Sequence, residues 1–157
     1  MQIAWVFPGQ GSQKLGMGKD VITLEDAKTR FDYASDVFGK DLFRICEEEA
    51  EKDNENNLNN TKNTQICLFL VESILLDALK IRGYNPEFVA GHSLGEITAL
   101  YAAKVMSFEN CVSLIKIRSE LMSKAPTGSM AALIGFDRET LESLVKTKGD
   151  IFIANDN

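Results

Sequence analysis

The chain has 157 residues and a mass of 17.4 kDa, which suits one domain or one domain and part of another. Apolar residues make up 45% and charged residues 25%, which excludes collagen-like, disordered and disulfide-scaffold classes. The formal net charge is −6, and six acids and one lysine between Glu47 and Glu55 contribute −5 of it. This local acidity is typical of a solvated loop. No basic patch exists in the sequence, so we do not expect nucleic acid as a partner.

The N-terminus and the cysteines indicate a cytoplasmic chain with no membrane partner. The opening MQIAWVF has neither a basic n-region nor a cleavage signature. The longest apolar run, ICLFLV at 66–71, is far too short to span a membrane. Cys46, Cys67 and Cys111 lie among apolar residues without a CxxC pattern, as buried reduced thiols do.

The first half of the chain predicts a buried strand, a glycine-rich loop and a set of helices. The apolar run at 3–7 is typical of a strand covered on both faces. The residues at 64–82 are apolar on nearly every side, so we expect a helix buried on most of its surface, capped by Asn63 or Thr64. In chain order we predict a strand at 3–7, a loop at 8–18, helices at 26–38 and around 42–45, a polar loop at 47–63 and a helix at 64–82.

The second half predicts two regions divided near Pro126 and Gly128. Before the division we predict a strand at 87–90, a helix at 96–105 and a helix at 108–123 with Ser107 as its N-cap. After it we predict strands at 130–134 and 151–154 around a helix capped by Asp137, with Leu141, Leu144 and Val145 facing inward. This β-α-β order is the first half of a ferredoxin-like unit.

The strongest chemical signal is Gly91-x-Ser93-x-Gly95, which lies between a predicted strand and a predicted helix. A nucleophile elbow requires this context, because its tight turn lifts the serine clear of the sheet. The helix N-terminus directs backbone N–H groups toward developing negative charge. Without that context the motif predicts no more than a glycine-lined turn with an idle serine.

His92 is the only histidine in the sequence, and we do not interpret it as the base for Ser93. Adjacent side chains on a tight turn diverge, whereas a catalytic base normally reaches the nucleophile from another loop. We interpret His92 as a residue that packs behind the elbow and holds it. The catalytic base is then absent from these 157 residues.

Arg118 is the second chemical signal, since helical spacing places it in the middle of an apolar stripe. The other members of that stripe are Leu114, Leu121, Cys111, Met122 and Ile115. A buried cation requires an anionic partner. One interpretation is an internal Asp or Glu, and the other is a substrate carboxylate held by two parallel N–H···O bonds.

These motifs resemble the malonyl-CoA:acyl-carrier-protein transacylase family. The resemblance rests on FPGQGSQ at 7–13, GHSLGE at 91–96, Arg118 within KIRSELM, and GSMAALIG at 128–135. It implies an α/β-hydrolase-like large subdomain, present in part as residues 1–125. It also implies a small ferredoxin-like subdomain whose first β-α-β occupies residues 128–157.

The resemblance also assigns roles to individual residues. It implies that Ser93 takes up the malonyl group, that Gln10 and the Leu94 N–H form the oxyanion hole, and that Arg118 binds the malonyl carboxylate. Asn155 and Asn157 match an N-x-N segment near the family's site, and we place His92 with them at the substrate site. The family's general base is a histidine, which we expect beyond Asn157.

The implied reaction is malonyl transfer from malonyl-CoA to the phosphopantetheine thiol of acyl carrier protein, without a metal or dissociable cofactor. A serine hydrolase or thioesterase would use the same elbow without needing Arg118. The third reading is an inactive fragment or scaffold that keeps the fold. The chain resembles the N-terminal portion of the enzyme, so alone we expect it to be inactive and to self-associate.

Overall fold

The computed structural model describes residues 2–52, 54–126, 128–131 and 133–154. Contacts divide the chain into two compact units, 1–125 and 126–157. The elements in chain order are β1 (Ala4–Phe7), α1 (Ala27–Phe38), α2 (Leu42–Glu47), α3 (Thr61–Ile81), β2 (Phe88–Gly91), α4 (Leu94–Ala102), α5 (Phe108–Ser123) and α6 (Arg138–Thr147). The first unit is therefore a partial α/β fold.

The sheet of the first unit consists of β1 and β2, which run parallel with Ala4 opposite Phe88 and Phe7 opposite Gly91. Alternation along the strands places Phe7 on the covered face, where it packs against Leu76 of α3 and Ala102 of α4. Because the strands are parallel and in register, both carboxyl ends meet at one edge. The loop after Phe7 and the turn after Gly91 are thereby brought together.

Helix α3 forms the centre of the core, as its apolar composition predicts. Ile66, Phe69, Leu70 and Ile74 are almost fully buried and pack with residues of α1, α2, α4 and α5. The helix begins at Thr61, one turn earlier than predicted, and Asn60 caps it by accepting a hydrogen bond from the Lys62 amide. The predicted caps Asn63 and Thr64 instead lie inside the first turn.

The early start of α3 has a physical cause in the loop before it. Asn63 Nδ2 donates to the carbonyl oxygens of Glu55 and Asn57, and Thr64 Oγ1 donates to that of Leu58. Both side chains are buried. Their polar groups hold the preceding loop against the helix, which is why the polar sequence here does not remain a free loop.

The second unit contains α6, with the Asp137 side chain accepting a hydrogen bond from the Thr140 amide as predicted. The predicted strands at 130–134 and 151–154 are not found among the described residues of this unit; Ala132, within the first of them, lies outside the described residues. A strand exists only through ladder hydrogen bonds to a neighbour, and the described residues of these segments form no such ladder. The predicted inward face of α6 is also not found, since no residue of α6 is buried.

None of the helices in the described ranges combines the length and the apolar character needed to cross a bilayer. The longest, α3, contains 21 residues but begins with Thr61-Lys62-Asn63-Thr64-Gln65 and includes Glu72 and Asp77. Its apolar residues are used in the core, as the burial of Phe69 and Leu70 shows.

Candidate active site

Ser93 lies between the end of β2 and the first residue of α4, at the carboxyl end of the sheet. Its backbone has φ 55° and ψ −101°, a region that residues with a Cβ rarely adopt. The turn leaves the Ser93 side chain exposed, although Leu94 and Gly95 immediately after it are buried. This is the geometry that a nucleophile elbow requires.

The two glycines of the elbow leave room for the strand, the turn and the helix to meet. A Cβ on Gly91 would lie 2.0 Å from the carbonyl carbon and oxygen of Gly95. A Cβ on Gly95 would lie 2.1 Å from the carbonyl oxygen of Phe7, at the end of the neighbouring strand. Both positions therefore exclude every side chain, which explains the Gly-x-Ser-x-Gly spacing in steric terms.

His92 holds the elbow through its backbone. Its amide donates to the Phe7 carbonyl over 3.0 Å, and its carbonyl accepts from the Gly95 amide over 3.0 Å. The imidazole is exposed rather than packed behind the elbow, so that part of the prediction is wrong. Gly9 lies against this residue, because a Cβ there would be 2.6 Å from the His92 carbonyl oxygen. Within the described residues His92 forms no hydrogen bond to Ser93.

Gln10 and the Leu94 N–H, predicted to form an oxyanion hole, lie on the two segments that leave the paired strands. In the described part of the chain neither N–H donates to a backbone carbonyl. Leu94 begins α4, so its N–H belongs to the positive end of a helix dipole. The Gln10 side chain is fixed through its Oε1, which accepts a hydrogen bond from Thr61 Oγ1 over 3.0 Å.

Arg118 reaches Ser93 directly. Its Nη2 donates to Ser93 Oγ over 2.8 Å, and its Nη1 donates to Gln65 Oε1. The side chain is half-buried, and within the described residues it forms no ion pair. The predicted internal Asp or Glu partner is therefore not found among the described residues. The neutral amide of Gln65 is the internal partner of Arg118 instead.

The face of α5 that points inward differs from the predicted stripe. The buried residues are Cys111, Val112, Ile115 and Ser119, whereas Leu114, Leu121 and Met122 are exposed. Arg118 lies at the border of the buried face, not in its middle. The helix has more apolar residues than its core-facing side can hold, so periodicity alone could not fix the orientation.

Gln65 is the site residue that sequence reasoning missed. It is fully buried in the first turns of α3, and its Nε2 donates to Thr61 Oγ1 over 3.1 Å and contacts Met122 Sδ at 3.3 Å. A polar chain thus runs from Gln10 through Thr61, Gln65 and Arg118 to Ser93. The available signal was a lone amide at the head of the apolar run 66–71.

Two further predicted residues cannot be placed, since Asn155 and Asn157 lie outside the described residues. The structure thus brings Ser93, Arg118, Gln10, Leu94 and His92 to one edge of the sheet. A serine hydroxyl beside a cation and the N-terminus of a helix is a combination that can support nucleophilic chemistry at a carbonyl carbon.

Comparison with known proteins identifies the family. A family model described as "Acyl transferase domain" matches residues 4–154. The chain belongs to the acyl transferase domain family. Within this family it is 44% identical over all 157 residues to the malonyl CoA-acyl carrier protein transacylase of Synechocystis sp.. It is 40% identical over 158 aligned residues, and 99% of its length, to a polyketide biosynthesis malonyl CoA-acyl carrier protein transacylase of Bacillus subtilis.

Solved acyl transferase structures agree with the fold. The crystal structure of the Synechocystis malonyl-CoA:ACP transacylase superposes with a TM-score of 0.89 over the whole chain. A malonyl-transacylase in complex with a type II polyketide synthase acyl-carrier protein superposes with a TM-score of 0.80, at 35% identity over 96% of the chain and 50% of that protein. The chain spans about half the length of the relatives it matches, 52% for Synechocystis and 53% for Bacillus subtilis.

Proposed function

We propose that this chain carries the nucleophile and the acyl-binding cation of a malonyl-CoA:acyl-carrier-protein transacylase. The observation that carries the proposal is the 2.8 Å hydrogen bond from Arg118 to Ser93. A cation beside the nucleophile, with no acidic partner in the described residues, favours an acyl group that brings its own negative charge. A hydrolase of neutral esters has no use for such a residue.

The malonyl group fits this spacing. Its carboxylate and its thioester carbon are separated by one methylene, so a carboxylate on Arg118 places the thioester carbon beside Ser93. The guanidinium offers planar paired donors that suit a carboxylate. Gln65 holds Nη1 from the buried side, which fixes the plane of the guanidinium before the substrate arrives.

The proposed reaction follows a ping-pong course. Ser93 Oγ attacks the thioester carbon while its proton passes to a general base, and the oxyanion receives hydrogen bonds from the Gln10 and Leu94 amides. The carbon–sulfur bond then breaks, and the CoA thiolate leaves with the proton. The phosphopantetheine thiol of the carrier protein repeats the attack on the acyl-enzyme and releases Ser93.

The general base of this reaction is proposed to be a histidine outside these 157 residues, because His92 is not hydrogen-bonded to Ser93. The names of the Synechocystis and Bacillus relatives support both the malonyl donor and the carrier-protein acceptor. We propose that no metal or dissociable cofactor takes part. A cytoplasmic location is proposed from the three buried free cysteines, which suit a reducing compartment.

The proposal is tested with the complete reading frame that contains this chain, incubated with malonyl-CoA and analysed by mass spectrometry. One malonyl group should be found on the peptide containing Ser93, and Ser93→Ala should remove it. An adduct that persists in the alanine variant would overturn the assignment. Product analysis with and without a carrier-protein thiol separates transfer from hydrolysis, since a hydrolase would release malonate equally in both.

A second measurement concerns the 157-residue chain alone. We expect no turnover, because Ser93 lacks a base there, and we expect activity to return when the remainder of the reading frame is supplied. Robust transfer by the isolated monomeric chain would mean that His92 or another residue within it is the base.

A further inference from the structure

A second charged feature lies in the first unit, and neither Ser93 nor Arg118 is among the residues that line it. It is a cavity of about 460 Å³ between the end of α1, the first turn of α3 and the last turns of α5. Four lysines line it, from four separate places in the chain: Lys40, Lys62, Lys116 and Lys124. The acids on its wall are Glu55 and Glu120, so the wall carries a formal charge of +2 in a chain whose total is −6.

The lysines are not neutralised by neighbours. Within the described residues none of the four forms an ion pair with a carboxylate. Lys116 Nζ donates to the Val37 carbonyl over 2.6 Å, and Lys40 Nζ donates to the Glu55 carbonyl over 2.7 Å. These bonds fix two ammonium groups at the wall and leave each of them further N–H donors.

A buried side chain on the same wall is unsatisfied. Asn63 is 1% exposed, and its Nδ2 is fully used on the carbonyls of Glu55 and Asn57. Its Oδ1 is buried and has no hydrogen-bond partner in the described structure. Asn63 and Lys40 both donate to the Glu55 carbonyl, so two side chains of the wall hold the loop at Glu55 in place.

The dipole of helix α3 also favours an anion in this cavity. Asn60 and Lys62, which also line the cavity, are the N-cap and the second residue of the 21-residue helix α3. The N-terminal end of a helix of this length attracts anions. Separated lysines act as point charges that suit a phosphate with several oxygens, whereas a single carboxylate is better served by one arginine fork.

We propose that this cavity binds the phosphoryl group of a small phosphate ester. The lysines that line the cavity offer charge-assisted hydrogen bonds to the phosphate oxygens. The volume exceeds that of inorganic phosphate and lies in the range of pockets for small organic ligands. The site is built entirely from residues of the first unit and does not depend on the reaction at Ser93.

The test is a titration of the complete protein that contains this chain with inorganic phosphate and with ADP, followed by ³¹P NMR and calorimetry at low and high salt. We expect saturable binding, tighter for ADP than for phosphate, that Lys62→Gln with Lys124→Gln weakens about tenfold. The side chains of these two lysines form no hydrogen bond or ion pair within the described residues, so their replacement should leave folding intact. Circular dichroism checks this. Lys28→Gln is the matched control, because Lys28 pairs with Asp32 on an exposed face of α1.

Two results would overturn the proposal. One is the absence of saturable binding for both probes, and the other is equal weakening of binding by Lys28→Gln. Malonyl-CoA is absent from the titration, so failure here leaves the proposed function untouched, and failure of the Ser93 labelling leaves this site untouched.

Discussion

The guanidinium of Arg118 donates a hydrogen bond to the hydroxyl of Ser93, although 25 residues separate them in the chain. The elbow fixes one partner and α5 fixes the other, while buried Gln65 on α3 holds the guanidinium from behind. Helices α3, α4 and α5 therefore define one reacting position. Its residues are far apart in the sequence and come into contact only in the folded chain.

Replacing Arg118 should change acyl selectivity more than general activity. Arg118→Ala in the complete enzyme should reduce malonyl transfer by about 2–5 kcal/mol, since the substrate carboxylate loses its buried partner. Acetyl transfer should fall less or even rise. The measurement is kcat/KM for both acyl donors, with Arg118→Lys as the control that keeps the charge and loses the fork. An equal loss for both donors would make Arg118 purely structural.

Gln65 should affect substrate binding, because its neutral amide holds Arg118 without neutralising the positive charge. Gln65→Glu keeps the shape but supplies an internal carboxylate, which should neutralise Arg118 and raise KM for malonyl-CoA with little loss of stability. Gln65→Leu should cost about 1–3 kcal/mol of stability, because Thr61 and Arg118 each lose a buried partner. Steady-state kinetics and urea unfolding separate the two effects. Normal malonyl transfer by the Glu variant would contradict this role.

Gly95 should tolerate no side chain. In Gly95→Ala the added methyl would lie 2.1 Å from the Phe7 carbonyl oxygen, so the strand and α4 must separate. We expect a loss of several kcal/mol, at or above the upper end of ordinary overpacking. Gly149→Ala is the control, since nothing lies within 4 Å of a Cβ there. Soluble yield and thermal unfolding provide the measurement, and an unchanged melting temperature in Gly95→Ala would show that the packing is looser.

Glu72 should make the stability of the chain fall as pH rises. Burial raises the pKa of its carboxyl to about 7, although the Thr98 hydroxyl donates to it and acts in the opposite direction. Between the unfolded value of about 4.3 and this folded value, the unfolded chain releases the proton and the folded chain keeps it. Stability contributed by the protonated form is therefore lost between about pH 4 and 7.

The matched variant is Glu72→Gln, which cannot ionise. The difference in free energy of unfolding between this variant and the unmodified chain should shift in favour of the variant by about 1–3 kcal/mol from pH 4.5 to pH 8. Urea unfolding at these two pH values measures the difference. A difference that does not change with pH would mean that the carboxylate is solvated.

The local features of the site were predictable because they depend on short-range sterics and caps. The turn at Ser93, the N-cap at Ser107 and the glycine positions follow from rules that neighbouring residues obey. The partner of Arg118 was not predictable, since Gln65 lies 53 residues away and its amide contributes no pattern of its own. The orientation of α5 was also missed, because residues such as Leu114 and Leu121 are apolar yet exposed.

The strands predicted in the second unit were not found for a different reason. Residues 151–154 have the composition of a strand, but composition states only that a segment fits a sheet once a neighbour is present. The start of α3 shows the converse case. Asn63 and Thr64 read as capping residues, yet their side chains bind the preceding loop and so extend the helix by a turn.

The backbone conformation of Ser93 lowers the stability of the folded protein. Its φ of 55° and ψ of −101° are tolerated by glycine, whereas a serine held there is strained by about 1–3 kcal/mol. Ser93→Gly should therefore give a protein that melts at a higher temperature and transfers nothing, a result that differential scanning calorimetry checks. A laboratory selection for heat resistance alone would discard the nucleophile early, so only a screen that also demands turnover would preserve it.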